Sequence, residues 1–494
     1  MTLLTTSGAA ADSPSVVRAS GADPYATCTA GAEASGTVSL SAEVEPNVAV
    51  NPANLSNLIA VWQQDRWSDG GAHGLVAGVS ADGGKHFREV ALPFSTCTQG
   101  GVHYPRASDP WVSIGPDGTA YAVSISFDEL ASGASPHSAV VAAVSKNGGT
   151  TWSDPRLVKK DFDPTGVIFN DKESVTADPR TPGTAYVVWD RSGTDGSQPA
   201  WFAKTTDFGE SWSKPRPITP ASPSEGTIGS ILLVNRHTGV LYDFYLRFFN
   251  SNQADQEAVV SSSDGGATWS APLQISATQV VNDVDPHVGG QPVRAGSDLP
   301  QVAIDPYTGE MYVVWEDARF TGGAVNGVVI SHSTNGTNWS APRLVSTNTG
   351  QDALTPSVAV DDSGRVGVTY YDFREFAPAN PTLPTDYWFT SSPRGGNDFE
   401  ASTRVIPRPF DMLATPFSGG WFVGDYEGLA SSGDGFVSCF VSAVDGSRHT
   451  TPLTDVFVAS LEPGSGGRAS TTPAAATAPL RAASSTTRQL RAAH

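Results

Sequence analysis

Seven times along the chain an alternating strand runs into a tight turn and returns as a second alternating strand. The clearest copy is DLPQVAIDPYTGEMYVVWEDARF at 298–320, and its relatives begin at Glu45, Ser108, Glu173, Thr227, Thr355 and Asp425. With Val48, Val112, Val175, Leu232, Val302, Val358 and Leu429 as equivalent positions, the steps are 64, 63, 57, 70, 56 and 71 residues. A unit this small cannot bury both faces of its own strands, so the copies must stack on one another. Period-two alternation, with 50 Gly and 36 Pro to supply turns, makes radial closure the natural arrangement. The sequence therefore predicts an all-β chain: a seven-bladed β-propeller with four strands per blade.

A second motif, Ser/Thr-x-Asp-x-Gly-x-x-aromatic, falls between the outer strands of several copies. It reads Ser80-Asp82-Gly84-Phe87, Thr205-Asp207-Gly209-Trp212 and Ser262-Asp264-Gly266-Trp269, with Asn in Ser145-Asn147-Gly149-Trp152. In weaker copies Thr334 takes the Asp position before Gly336 and Trp339, and Arg394 takes it before Gly396 and Phe399. The carboxylate accepts from turn N–H groups, Gly supplies a positive φ, and the aromatic ring packs on the sheet. These Asp-box hairpins are structural locks.

The ends imply a closure. The seventh copy has a third strand at Asp455–Leu461 and then enters a low-complexity tail, so its fourth strand must come from elsewhere. Gly36–Ser41, ahead of the first copy, is the expected donor. The division that follows is a flexible arm over 1–35, the propeller over 36–462 and a disordered tail over 463–494. A Cys28–Cys97 pair would tie the arm to the first blade, a pairing the sequence leaves open, while Cys439 reads as buried.

Thirty Lys and Arg against 50 Asp and Glu give a formal charge of −20. Such a surface repels nucleic-acid phosphates and anionic membranes, so neither is an expected partner. No run of about 18 apolar residues offers a membrane span. The start, MTLLTTSGAAADSPS, lacks the basic segment and apolar core of a signal peptide, yet a secreted, monomeric protein is the expectation.

With strands ordered from the axis outward, residues just before the first strand and just after the second gather at the mouth of the central channel. Two residues before the reference position stand Pro46, Pro110, Pro300 and Pro356, but Glu173, Ser230 and Glu427 in the other copies. A neighbouring column holds Glu45 and Asp109, and the approaches add Asp171, Asp298 and Asp425. Beyond the second strand, Arg66, Arg319 and Arg374 align, with Arg106 and Arg191 nearby. The same residues have a structural reading, because Asp317/Arg319 and Asp372/Arg374 sit two apart on a strand and can pair.

Repeated Asp boxes, together with EPNVAVNP, DKESVTADP, DLPQVAIDP, YYDFR, LPTDYWF and GDYEGLA, resemble the Asp-box (BNR-repeat) branch of the sialidase superfamily over most of 43–461. The resemblance implies a six-bladed fold as the alternative, and an exo-glycosidase that hydrolyses a terminal anionic sugar from a glycan or polysaccharide. It implies Arg66, Arg319 and Arg374 as substrate clamps, supported by Arg106 and Asp317. It further implies Tyr371 as nucleophile and Asp109 as acid/base, with Glu173 and Glu427 as further catalytic candidates. The chain departs from that family in lacking a Phe/Tyr-Arg-Ile-Pro motif; HYPRA at 103–107 does not match it. Two other readings remain, a polysaccharide lyase using His103 or His287, and a non-catalytic glycan- or protein-binding propeller. No cofactor is expected, with structural calcium open in the Asp-rich loops.

Overall fold

The computed structural model describes residues 14–32, 35–130, 132, 134–347, 350–444 and 454–462. Within them the chain is all-β, its one helical element being the single 3-10 turn Met412–Ala414. The first copy of the repeat becomes an antiparallel meander, Val38–Val50, Leu58–Trp67, Ala72–Ser80 and Arg88–Ala91. Copies two to six repeat this order. Their first strands are Arg106–Ile114, Asn170–Ala177, Glu225–Val234, Gln301–Ile304 and Ala353–Val360. The last meander is Gly428–Ser432, Gly435–Ala443 and Thr454–Leu461. Each first strand packs against the next in this sequence, and Gly428–Ser432 returns to Val38–Val50. A closed ring of radial antiparallel meanders is the architecture of a β-propeller.

Side-chain alternation explains both the strands and the seams. Ile59, Val61, Leu75 and Ala77 of the first meander bury against Val112, Ala122, Ala139 and Val141 of the second. Inner turns follow from their chemistry. In the DPYTG turn, the Asp305 carboxylate accepts from Tyr307 N at 2.7 Å and Gly309 sits at φ +76°.

The Asp-motif turns have the expected bonds. Asp264 accepts from Ser262 Oγ at 2.8 Å and from Thr268 N at 2.9 Å, and Gly266 N donates to Ser262 Oγ. Asn147 accepts from Thr151 N at 3.0 Å. The turn at 333–339 corrects the sequence alignment: Asn335, not position 334, takes the carboxylate's place, accepting from Thr337 N and Asn338 N at 2.9 Å. Gly336 N donates to Ser333 Oγ three residues back rather than four, so this turn is one residue tighter. The aromatic rings cross to the preceding meander, Trp269 edge-on to Phe202 at 5.5 Å and Trp339 to Phe244 at 5.8 Å.

The donor of the last outer strand is not Gly36–Ser41. Val38 and Ser39 pair with Trp67 and Arg66 inside the first meander. GTVSLS runs into AEVEPNVAV without a reversing turn, so it lengthens that meander's inner strand. Ser15–Arg18 closes the ring instead, antiparallel to Thr454–Leu461 with Ser15 opposite Ser460 and Arg18 opposite Phe457. Ala19 N donates to Val456 O at 2.8 Å, and Arg18 meets Asp455 at 2.6 Å. Residues 15–28 of the arm are thus tied down rather than free. Tyr25 is buried with its hydroxyl on Leu75 O at 2.7 Å, and Cys28 is disulfide-bonded to Cys97 across 69 residues. Residues 1–13 and the tail 463–494 lie outside the described residues.

Candidate functional site

One irregularity recurs at the head of the inner strands. Strand register slips between Val44 and Asn47, Ser108 and Trp111, Asp171 and Ser174, Ile228 and Ile231, and Leu354 and Ser357. The left-handed residue of each bulge is the same column: Glu45 (φ +53°), Asp109 (+53°), Lys172 (+49°), Gly229 (+75°) and Thr355 (+48°). Four of these five are not glycine, so the ring holds a disfavoured backbone at each. Proline follows the bulge at Pro46, Pro110 and Pro356, where a ladder N–H is not needed.

Three of the bulge side chains converge. Lys172 Nζ lies 3.3 Å from Glu45 Oε1, 3.5 Å from Asp109 Oδ2 and 2.7 Å from Asp425 Oδ2. Arg294 completes the far side, with Nε 2.9 Å from Asp425 Oδ1. The Phe422 ring lies 4.8 Å from the Arg66 guanidinium and 4.6 Å from that of Arg294. Arg66 donates to Gln63 Oε1 at 2.8 Å and to Ser418 Oγ at 3.1 Å. Ser108 Oγ donates to Asp109 Oδ1 at 2.6 Å, and Tyr426 OH reaches Pro110 O at 3.4 Å. Every one of these groups is buried, Glu45 to 0% and Asp425 to 3% exposure.

Burial and neighbours set the charges apart. Burial raises Glu45 to about 7, with Lys172 opposing and Asp109 reinforcing the rise. Burial would raise Asp425 as well, but Arg294 and Lys172 outweigh it and hold it well below the usual carboxylate range. Lys172 stays charged because Asp109, Asp425 and Glu45 overcome its desolvation. Arg66 is lowered to about 10 by burial and by the like charge of Arg294. Burial and Asp109 push Glu173 well up, and neither of its oxygens has a hydrogen-bond partner among the described residues. The cluster therefore pairs a carboxyl raised by burial with one that Arg294 and Lys172 hold low, a contrast that suits acid/base work.

The predicted residues divide. Arg66, Asp109 and Glu173 reach this cluster. Arg319 and Arg374 do not, because each is chelated by the Asp two residues before it on the same strand face. Arg319 Nε meets Asp317 Oδ1 at 2.8 Å, and Arg374 Nε meets Asp372 Oδ2 at 2.6 Å with its guanidinium 3.5 Å from the Trp388 ring. Asp317 is fully engaged in this way, also accepting from Trp315 Nε1 at 3.0 Å. Arg66 has Gln64 at the corresponding place, which leaves its guanidinium free to turn inward. Arg106 ties the first two meanders through Asp69 Oδ1 and Gly70 O at 2.7 and 2.8 Å, over Trp67.

Tyr371 and Glu427 do come together, but inside the core between the last two meanders. The Tyr371 hydroxyl donates to Val441 O at 2.7 Å and accepts from Val441 N at 2.9 Å. It is 0% exposed, and burial and Glu427 push it well above the usual phenol range, the opposite of an activated nucleophile. Glu427 lies against Tyr371 and Tyr387, and burial raises it strongly. His103 is exposed, and His287 is bonded to Asp285 and Asn380. Among the described residues no three His, Cys, Asp or Glu side chains are grouped to hold a metal.

Sequence reasoning missed Lys172, Arg294, Ser418 and Phe422. Lys172 shares the column that holds Glu45 and Asp109, so the alignment contained it. Arg294 and Phe422 lie in the two longest repeat steps, 70 and 71 residues. These insertions meet: Val293–Arg294 pairs in parallel with Trp421–Phe422. A shared excess of length was the available signal.

No protein-family model matches the chain, and no curated protein does. Among solved structures it is similar to a microbial sialidase from a Hadza sample, Hz136, at 16% identity and TM-score 0.47, over 83% of this chain and 74% of that one. It is also similar to a protein of unknown function from Dyadobacter fermentans, at 13% identity and TM-score 0.46, over 72% and 98% of the two chains. A third is the Penicillium chrysogenum α-L-arabinanase, at 12% identity and TM-score 0.44, over 86% and 97%. At identities and TM-scores this low, the likenesses transfer no residue roles and no activity.

Proposed function

We propose that the chain is a seven-bladed, Asp-box β-propeller of the sialidase-like kind, secreted and monomeric, acting as a glycosidase that removes a terminal anionic sugar. The observation that carries this reading is the placement of Glu45 and Asp425 on one buried lysine, 3.3 and 2.7 Å from its Nζ, where burial raises the first and Arg294 with Lys172 lowers the second. In it, Glu45 donates a proton to the departing glycosidic oxygen, ionised Asp425 stabilises the positive charge that develops on the sugar, and the Glu45 carboxylate then takes a proton from the water that adds to the anomeric carbon. Lys172 holds the two carboxylates in register. In this reading Arg66 and Arg294, which flank Phe422, hold the anionic substituent.

A second reading is favoured by the burial itself. With Glu45, Asp109, Lys172 and Asp425 drawn from the first, second, third and last meanders, the cluster can serve as a keystone of a binding propeller that does no chemistry. A glycan-array screen followed by mass spectrometry of products separates the readings. Release of a monosaccharide, abolished in Glu45→Gln and Asp425→Asn variants that still fold, supports the glycosidase. An unsaturated, ultraviolet-absorbing product means a lyase. Glycan capture with no product after prolonged incubation means the keystone.

A further inference from the structure

The segment linking the fourth and fifth meanders folds as a hairpin with a charged tip. Val293 N donates to Asp283 O at 3.0 Å, Val284 bridges Pro292, and Asp285 N donates to Gln291 O at 2.9 Å. Gly290 N closes the turn on His287 O. His287 stands at the tip, and Arg294 of the ion cluster follows directly from the base.

The His287 ring is held between two oxygens. Nδ1 is 2.5 Å from Asp285 Oδ1, and Nε2 is 2.6 Å from the Asn380 carbonyl in the loop of the sixth meander. A carbonyl only accepts, and so does an ionised carboxylate. A neutral imidazole has one N–H and one lone pair, so either tautomer would face a lone pair against an oxygen. Only the imidazolium donates both ways. The Phe376 ring packs edge-on at 4.9 Å, and the charges acting on the ring are Asp285 and, more weakly, Asp411, both negative.

We propose that protonated His287 is a positioning residue: it clasps the hairpin tip to the Asn380 loop and so sets the hairpin base, where Arg294 meets Asp425. Deprotonation leaves one N–H, which the Asp285 carboxylate, the stronger acceptor, keeps at Nδ1, so the bond to the Asn380 carbonyl is lost and the tip is freed. The Asn380 carbonyl and Asp285 raise His287 above its ordinary value. The sign follows. The clasp is complete below the ordinary imidazole value of 6.5 and is lost as pH rises through the higher folded value. Only the last step, from Arg294 to sugar turnover, rests on the glycosidase reading.

The experiment reads the clasp without catalysis. In the full chain, the His287 ring is titrated by NMR, and amide exchange of Asp285 and Val293 is followed over the same pH range, corrected for intrinsic base catalysis. The expected result is a His287 midpoint above 6.5 and a step of about tenfold faster exchange through that midpoint, the scale of one charge-assisted hydrogen bond. In His287→Gln the step disappears, and in Asp285→Asn, a milder change, the midpoint falls. A midpoint at or below 6.5, or amides indifferent to it, overturns the clasp. If the amide step is present but no sugar is ever released, the clasp stands and the glycosidase reading fails.

Discussion

Lys172 carries three carboxylates that no other side chain of the inner bulges could balance. Changing it to Met leaves Asp109 and Glu45 buried without their lysine, while Asp425 keeps Arg294, so a loss of about 3–5 kcal/mol is expected by chemical denaturation. Unchanged stability would mean that the carboxylates take up protons at no cost and that the lysine is not the anchor. Arg319→Lys is expected to behave differently. It loses the bidentate fork on Asp317, lowers stability by about 1 kcal/mol, and leaves any glycan turnover unchanged. The Asp-motif turn at 333–339 gives a third test. Asn335→Ala removes the acceptor for two turn N–H groups and should cost about 1 kcal/mol, whereas Thr334→Ala should be close to neutral. At this scale the column that holds Glu45 and Asp109 was legible in the sequence, but not which arginines turn toward it. That choice depends on the residue two places earlier, Asp317 or Asp372 against Gln64, and on whether its side chain captures the guanidinium.

The closing strand is the element on which the ring depends, and it is four residues long. Its hold is extended by Tyr25 and by the Cys28–Cys97 disulfide, which anchors the same arm to the first meander. Replacing both cysteines with serine should cost about 4 kcal/mol if the loop-entropy account applies to the 69-residue separation. Denaturation with and without reductant checks this, and a wild-type protein indifferent to reductant would contradict it. The need for a borrowed outer strand was legible, since the last copy runs out after its third strand. Its donor was misread because GTVSLS has the better alternation, while SVVR sits in an arm rich in Ala, Ser and Gly. Alternation alone does not report that a segment continues into its neighbour without a turn.

For the molecule as a whole, the inner strands among the described residues were legible from the repeat, while the ion cluster at their head was only half so. Two of its groups come from insertions outside any repeat column, so their meeting is a property of the assembled ring. Protonation of that cluster should be visible in the stability of the entire fold. Glu45 is raised from 4.5 to about 7, so its contribution is complete below about 4.5 and lost as pH rises through about 7. Glu45→Gln should therefore gain stability relative to wild type over that interval and then level off. Denaturation midpoints measured across it check the sign, and a difference that shrinks with rising pH would reverse the assignment. Ring closure also has a consequence in time. Ser15–Arg18 leaves the ribosome early, yet its partner Thr454–Leu461 follows it by roughly 440 residues. At about 5–20 residues per second, the first-made strand waits roughly 20 to 90 s with its edge unmatched. Throughout that interval the growing chain is an open circle, exposed to pairing with any neighbouring copy, and only the arrival of the distant partner strand can shut it.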